Sequence, residues 1–332
     1  MFRVGIVGCG NICQVHSIVL DRHPLTQLVA CADIKLERAQ AIAEKYNCHA
    51  YASLEEMLEN EQLDAVHLCT PHVLHTPMAE MLAERGITVF TEKPPVIDQQ
   101  QWEALEKVDQ KVPLGICFQN RYNPNVKETQ RIIASGEYGK VMGARAFVTW
   151  VRTPRYYTDS GWRGNWEMEG GGVLMNQTIH TLDLLIYLLG KPEFVEATMA
   201  NHHLKDVIQV EDTVEVYMRI QGKPAIYYAT TGYVTDSPVL LEVMLEKATL
   251  RLEEDRLEIK TREGVEVRTF KTPETLGKGY WGNGHYTCIG DFYESIQEGR
   301  PFQNNLDSVR DTVGAMLEIY RQGKQHLQLD VK

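Results

Sequence analysis

The 332-residue sequence has no excess of positive charge, no long apolar run and no Cys-x-x-Cys pair. Its 34 Lys and Arg stand against 45 Asp and Glu, a formal charge of -11. That sign argues against nucleic acid or an anionic membrane surface as the main partner. The most apolar segment, LLIYLL at 184–189, is far too short to cross a bilayer. The opening MFRVGIVGCG runs straight into a strand-like pattern, with no basic leader and cleavage site, so no signal peptide is expected. Seven cysteines, an odd number, show no Cys-x-x-Cys spacing. Cys31, Cys69 and Cys117 sit in strand-like runs, as reduced buried thiols of a cytoplasmic protein would. Cys9 and Cys13 flank the first turn, where nothing is built to lower a thiol pKa, and are read as structural. His202 and His203 are adjacent, the wrong spacing for one ion, and no metal site is expected.

The chain is long enough for two domains, since a single core stops growing at roughly 250–300 residues. No repeat, low-complexity tract or Gly/Pro-rich linker marks the division, but the texture changes near residue 121. Before it, short apolar runs (FRVGIVG, QLVACAD, DAVHLCT, ITVFTE, VPLGICF) alternate with helical patterns such as LERAQAIAEKY and TPMAEMLAERG. Nearly continuous apolar strands between helices predict a parallel, doubly wound α/β sheet over 1–120. After it come longer, partly alternating strands: VMGARAFVTWV, DTVEVYMRI, PAIYYATTGYV, PVLLEVMLE and RLEIKTREGVEVRTF. They predict an α+β domain over 121–332 with a large, mostly antiparallel open sheet and helices near 173–189, 284–298 and 306–322.

GIVGCGNIC sets Gly8 and Gly10 between a predicted strand and a helix. Gly8 permits the tight turn, and Gly10 lets the backbone approach a pyrophosphate on the helix N-terminus, which Asn11 and Ile12 open. The third fingerprint position is Cys13, a departure expected to loosen the helix–strand packing slightly. Asp33 ends the second strand where a ribose-binding acid belongs. A carboxylate there accepts ribose hydroxyls and repels a 2′-phosphate, which favours NAD; Lys35 and Arg38 close by leave NADP open.

The fourth apolar run leads into Glu92-Lys93-Pro94-Pro95. With TPHVLH (70–75) and EGGGVLMNQTIHTLDLLIYLLG (169–190), it resembles the Gfo/Idh/MocA oxidoreductases of sugars, cyclitols and nucleotide sugars. QNRYNP (119–124), SGEYGKVMGARA (135–146), WRGNW (162–166) and YWGNGHYTCIGDFYESIQEGRPF (280–302) extend the resemblance over nearly the whole chain. It implies a Rossmann domain, a second domain whose open sheet makes a homodimer or homotetramer, and hydride transfer between a nicotinamide and a hydroxyl-bearing carbon. Carried onto this chain, Thr70, Pro71, His75 and Gln119 line the cofactor, and Glu92 and Lys93 bracket the reaction centre. His180 is the acid/base, and Trp162 and Arg163 fold over the cofactor.

The chemistry suits these residue types. Oxidising a secondary alcohol needs a base for the hydroxyl proton, which histidine supplies near neutral pH. A nearby ammonium such as Lys93 stabilises alkoxide character as the hydride leaves. On a helical wheel of about 100° per residue, Asn176, His180, Asp183 and Tyr187 form one polar seam. Met175, Ile179, Leu182, Ile186 and Leu189 form a core stripe, with Leu184, Leu185 and Leu188 filling much of the rest. A helix buried nearly all round with one polar seam reads as a site or a hydrogen-bonded network.

Asn176 stands where many cyclitol dehydrogenases of the family carry Asp. An amide supplies no negative charge but can both donate to and accept from a substrate hydroxyl. Asp183 is counted with the catalytic set as a holder of the His180 tautomer, a structural bond elsewhere being the alternative. His285 reaches the substrate or simply caps and packs. Arg121, Arg152, Arg155 and Arg163 are read first as surface or structural. The expected partner is a small polyol or sugar. The rival class is a non-catalytic dinucleotide-binding regulator or scaffold of the same fold.

Overall fold

The computed structural model describes residues 1–270 and 284–327, with side chains to residue 325, and every count is of these residues. The chain divides into two compact units, Met1–Gln119 with Glu274–Ser308 and Asn120–Pro273 with Val309–Lys332.

In the first unit, strands and helices alternate: β1 (Phe2–Val7), α1 (Asn11–Arg22), β2 (Thr26–Ala32), α2 (Leu36–Tyr46), β3 (His49–Tyr51), α3 (Leu54–Asn60), β4 (Ala65–Leu68), α4 (His75–Ala83), β5 (Thr88–Thr91), α5 (Gln99–Asp109) and β6 (Leu114–Ile116). The strands form one sheet in the order β3-β2-β1-β4-β5-β6, and every pairing is parallel. This is the doubly wound dinucleotide-binding order, as the sequence predicts. Val4, Ile6, Ala65, Val66, Val89 and Phe90 are all 0% exposed, which is why these strands read as apolar runs without alternation.

The second unit opens with α6 (Pro124–Ser135), β7 (Val141–Thr149) and the short α7 (Pro154–Thr158). A π-helical turn over Val173–Thr178 leads into α8 (Ile179–Leu189). Then follow β8 (Pro192–Ala200), β9 (Thr213–Ile220), β10 (Lys223–Thr230), β11 (Leu240–Leu245), β12 (Thr249–Glu253), β13 (Arg256–Lys260) and β14 (Val265–Thr269). These build an eight-stranded sheet ordered β14-β13-β12-β11-β7-β10-β9-β8, antiparallel except where β7 meets β10. One face is core: Ala144, Ala146 and Val148 of β7, Val214 and Val216 of β9 and Tyr227 of β10 are buried, and α8 packs on β7. The other face stays open and carries Met142, Phe194, Ile226 and Met244 at 39–49% exposure.

The last helices are α9 (His285–Glu298) and α10 (Leu306–Leu327). The expected second block, 121–332, is thus not contiguous in space, because α9 belongs to the first unit. The reason is its apolar face: Cys288, Ile289, Phe292 and Tyr293 are buried there, and α9 packs on α1. The Phe292 ring lies tilted against Phe90, centroids 5.0 Å apart, and a Cβ on Gly115 of β6 would lie 2.6 Å from the Phe292 ring. Tyr280–Asn283, the start of the last family-like segment, lie outside the described residues.

Candidate active site

In the first unit the predicted cofactor residues gather at the carboxyl ends of β1, β2, β4 and β5. Gly8 has φ +90°, and a Cβ there would lie 2.5 Å from the Cys69 carbonyl oxygen, so only glycine makes this turn. Gly10 differs: a Cβ on it meets nothing within 4 Å. Its backbone is open to a phosphate at the start of α1, where Asn11 is exposed and Ile12 half-buried. Cys13 is fully buried, so the third fingerprint position serves packing. Asp33 is tied to the phosphate turn, its Oδ2 accepting from the Cys9 N–H at 2.8 Å and its Oδ1 from the Lys35 N–H at 2.8 Å. The remaining lone pairs of that carboxylate suit ribose hydroxyls. Beside it, Ile34 is 91% exposed.

Thr70 and Pro71 follow β4, and the Thr70 hydroxyl is buried without a partner among the described residues. His75 does not offer a ring nitrogen outward. Its Nδ1 lies 2.8 Å from the Pro94 carbonyl and its Nε2 3.0 Å from the Thr70 carbonyl, so it ties the two turns together. Burial pushes its pKa down, and the two backbone hydrogen bonds pull it up.

Glu92 ends a buried chain that sequence reading missed. The His16 Nε2 lies 3.0 Å from the Glu92 carboxylate, the His16 Nδ1 2.7 Å from the His67 Nδ1, and the His67 Nε2 2.8 Å from the Tyr293 hydroxyl. Burial drives His67 well below its usual range and Tyr293 well above, so His67 is neutral and Tyr293 keeps its proton. With Glu92 ionised, His16 donates to it in either tautomer of the neutral His67. Burial pushes Glu92 up, but the His16 hydrogen bond and the electrostatic influence of His16, His285 and Lys93 outweigh it and hold the carboxyl below its usual range. Lys93 is half-buried directly after β5, its N–H donating to the Glu92 carboxylate at 3.2 Å. His285 is buried beside His16, with its pKa pushed down to about 4 by burial; in this unit it packs.

The His16, Glu92 and Cys117 donor atoms lie within 4.8 Å of one another, a set that matches metal-ligand chemistry though the sequence predicted none. Here the first two serve the hydrogen-bond chain. Cys117 donates to Gln119 at 3.7 Å, and Gln119 is itself buried.

The predicted seam lies in the second unit, and the structure changes its reading. The wheel of 100° per residue does not hold over 173–178, where the backbone takes the wider π turn. Glu211 and Tyr320 impose that turn. The Val173 N–H donates to the Glu211 carbonyl, the Leu174 N–H to its carboxylate and the Met175 N–H to the Tyr320 hydroxyl, each at 3.1 Å. The glycines make room for this contact: a Cβ on Gly171 would sit 2.0 Å from the Tyr320 hydroxyl, and one on Gly172 1.9 Å from the Glu211 carbonyl oxygen. Met175, Ile179, Leu182, Ile186 and Leu189 are buried, as the core stripe requires.

Asp183 corrects an expectation. It is fully buried, but its carboxylate accepts from Arg121 Nε at 2.8 Å, Arg121 Nη2 at 2.5 Å and the Thr312 hydroxyl at 2.8 Å. A carboxylate gripped by a bidentate guanidinium holds the helix, not the His180 tautomer. Arg121 also lies 4.7 Å over the Tyr187 ring, so the lower half of the seam is a structural pair, Asp183 with Tyr187 around Arg121. The upper half carries His180 and Asn176. His180 is half-buried at the start of α8, and the Asn176 amide donates to Glu169 at 2.5 Å. Glu169, to which sequence reading gave no role, is 0% exposed and also accepts from the Gly164 N–H at 2.5 Å. Trp162 and Arg163 lie just before it, the guanidinium 4.6 Å over Tyr156 and 4.7 Å over Trp162.

Against known families, residues 2–113 match the NAD-binding Rossmann domain of the GFO/IDH/MocA oxidoreductases. Residues 126–251 match that family's C-terminal domain. The chain belongs to the Gfo/Idh/MocA family. This oxidoreductase is 30% identical to the inositol 2-dehydrogenase of Rhizobium meliloti over 275 residues, 79% of each chain. It is 33% identical to the D-glucoside 3-dehydrogenase of Escherichia coli over 57% of this chain, and there it spans about half of the relative (54%). Among solved structures it resembles the WlbA dehydrogenase of Bordetella pertussis in complex with NADH and UDP-GlcNAcA, at 27% identity and TM-score 0.84, over 98% of this chain and 97% of that one.

Proposed function

We propose that this Gfo/Idh/MocA oxidoreductase moves a hydride between NAD and a secondary hydroxyl or ketone of a sugar, cyclitol or sugar derivative. The observation that carries the proposal is Lys93: a half-buried ammonium at the carboxyl end of β5, its backbone N–H held by a glutamate that a buried histidine chain keeps ionised. Relatives named as inositol 2-dehydrogenase and D-glucoside 3-dehydrogenase supply the substrate class. NAD would lie on Gly8, Gly10, Asn11 and Ile12, its ribose on Asp33, with Thr70, Pro71 and Gln119 along its length. Trp162 and Arg163 are assigned to its outer side.

His180 takes the hydroxyl proton as the hydride leaves, Lys93 stabilises the developing alkoxide, and Asn176 hydrogen-bonds a substrate hydroxyl. The open sheet face, with Met142, Phe194, Ile226 and Met244 exposed beside the Arg145–Glu242 ion pair, is the surface on which two or four copies would meet. The proposed domain boundary at 120/121 falls one residue beyond the first division between the compact units, Gln119 and Asn120. Seven free cysteines, six of them buried, suit the cytoplasm, and no described helix is long and apolar enough to cross a membrane.

The test is NAD reduction followed at the nicotinamide absorbance across a panel of polyols and aldoses. Lys93→Ala and His180→Ala should each lower kcat/KM by about 10²–10⁴. A variant that keeps near-wild-type kcat/KM removes the role assigned to that residue. Tight NAD(H) binding with no turnover of any panel member would favour the non-catalytic regulator instead.

A further inference from the structure

Two neighbouring strand ends and one helix bring three different ligand atoms together in the first unit. β5 and β6 pair in parallel with Thr91 opposite Ile116, so Glu92 and Cys117 are the next residues on adjacent strands and leave the sheet side by side. The Cys117 N–H donates to the Thr91 carbonyl at 2.9 Å and fixes that register. α1 carries His16 to the same spot, its Nε2 3.0 Å from the Glu92 carboxylate. An imidazole nitrogen, a carboxylate oxygen and a thiol sulfur thus lie within 4.8 Å of one another, and all three residues are buried.

We propose that His16, Glu92 and Cys117 form a site for a thiophilic divalent cation of the zinc class, and that its occupation reversibly inhibits the enzyme. The binding stands on this geometry alone, while the inhibition rests on the dehydrogenase reading.

The donor set selects the ion. Magnesium and calcium take oxygen ligands, whereas nitrogen, oxygen and sulfur together suit zinc. Zinc bonds of about 2.0–2.3 Å in a tetrahedron set neighbouring ligand atoms about 3.3–3.8 Å apart, so small side-chain shifts bring these three into place. The fourth position falls to water or to the His285 ring, whose centroid lies 6.4 Å from that of His16. The outer contacts are those a zinc-bound histidine uses. The His16 Nδ1 lies 2.7 Å from the His67 Nδ1, and the His67 Nε2 2.8 Å from the Tyr293 hydroxyl. With its proton on Nδ1, donated to His67, His16 presents the Nε2 lone pair to the ion.

In the ion-free protein the His16–Glu92 hydrogen bond satisfies the same atoms, so the fold does not depend on zinc and occupation is reversible. One Glu92 oxygen faces His16, and the other accepts the Lys93 N–H at 3.2 Å. Zinc breaks the first bond and neutralises the carboxylate that makes the second. The ammonium that steadies the alkoxide then loses its fixed place, so kcat falls while KM for the polyol changes little.

Cobalt(II), which enters zinc sites and reports a thiolate ligand by an intense charge-transfer band in the near ultraviolet, is the first probe. Chelator-treated wild-type protein should show that band, zinc should erase it and magnesium should not. Cys117→Ser, or Cys117→Ala if the serine variant melts early, should lack the band. Cys48→Ser, which removes the one thiol that is not buried, should keep it. No band in the wild type overturns the proposal, as does a band that survives in Cys117→Ser or is lost in Cys48→Ser.

In the nicotinamide assay, about 10 µM free zinc should lower wild-type kcat about tenfold, reversed by a chelator, and change Cys117→Ser by less than about twofold. Equal inhibition of both overturns the proposal. If no panel substrate is turned over, the dehydrogenase reading fails, while the cobalt band still decides the site.

Discussion

Glu92 in the first unit and Glu169 in the second are both withdrawn from water, yet they are held in opposite states. Glu92 meets a histidine whose other nitrogen is already satisfied along a chain to Tyr293, and it lies beside Lys93. The carboxylate form is the one the site is built for. Glu169 meets neutral donors, the Gly164 N–H and the Asn176 amide, with the Arg163 charge opposing burial and Glu211 adding to it. Burial wins there, and the carboxyl titrates at about 7. The same side chain thus becomes a fixed charge or a proton switch according to whether a histidine chain and an ammonium, or a pair of amides, hold it.

Breaking that comparison at its strong end should give the largest effect. Glu92→Ala leaves the His16 N–H buried without an acceptor and should cost about 3–5 kcal/mol in urea unfolding. Glu169→Ala removes a group already partly neutral and should cost about 2 kcal/mol. If the two losses are equal, the two glutamates do not differ in the way their surroundings imply. Next comes Gly172→Ala, whose Cβ would need the space of the Glu211 carbonyl; it should lower stability by about 3 kcal/mol in the same assay.

The pH dependence sharpens the comparison further. Glu169 has a folded pKa above its unfolded one, so protonation favours the folded state. Stability should therefore rise as pH falls from 8 toward 5, by at most about 3 kcal/mol. Glu92 has a folded pKa below its unfolded one, so its contribution is complete above about 4.3 and is lost on further acidification. Urea midpoints against pH should show a maximum near 5, and in Glu169→Gln the upper slope should flatten. Without that flattening, Glu169 is not the group responsible. The smallest effect belongs to Gly10→Ala: with nothing of the protein near its Cβ, the melting temperature should hold while Kd for NAD rises about tenfold, read by fluorescence titration.

The sheet of the first unit was legible because both faces of each strand are buried, so apolar runs translate directly into strands. β3 escaped notice, since His49–Tyr51 is three residues long and only partly buried. The phosphate turn, Asp33 and Lys93 were found because each has a fixed place after a strand. His16 and His67 were not, because a histidine inside an apolar run shows no partner until the strands are aligned. The seam on the helix was half legible. Periodicity grouped Asn176 with Asp183, but periodicity assumes an α turn, and the π turn is set by Glu211 and Tyr320, 35 and 144 positions beyond Asn176. The fate of Asp183 rests in the same way on Arg121, which no local pattern connects to it.

The return of α9 to the first unit has a consequence for biosynthesis. Tyr293 ends the buried histidine chain, Phe292 covers Gly115, and the Asn304 carbonyl accepts the Ile116 N–H of β6. A nascent chain that has emerged only to residue 120 therefore displays an apolar wound where those residues will sit. The nucleotide-binding half can seal only after residue 304 has left the ribosome, long after its own last strand.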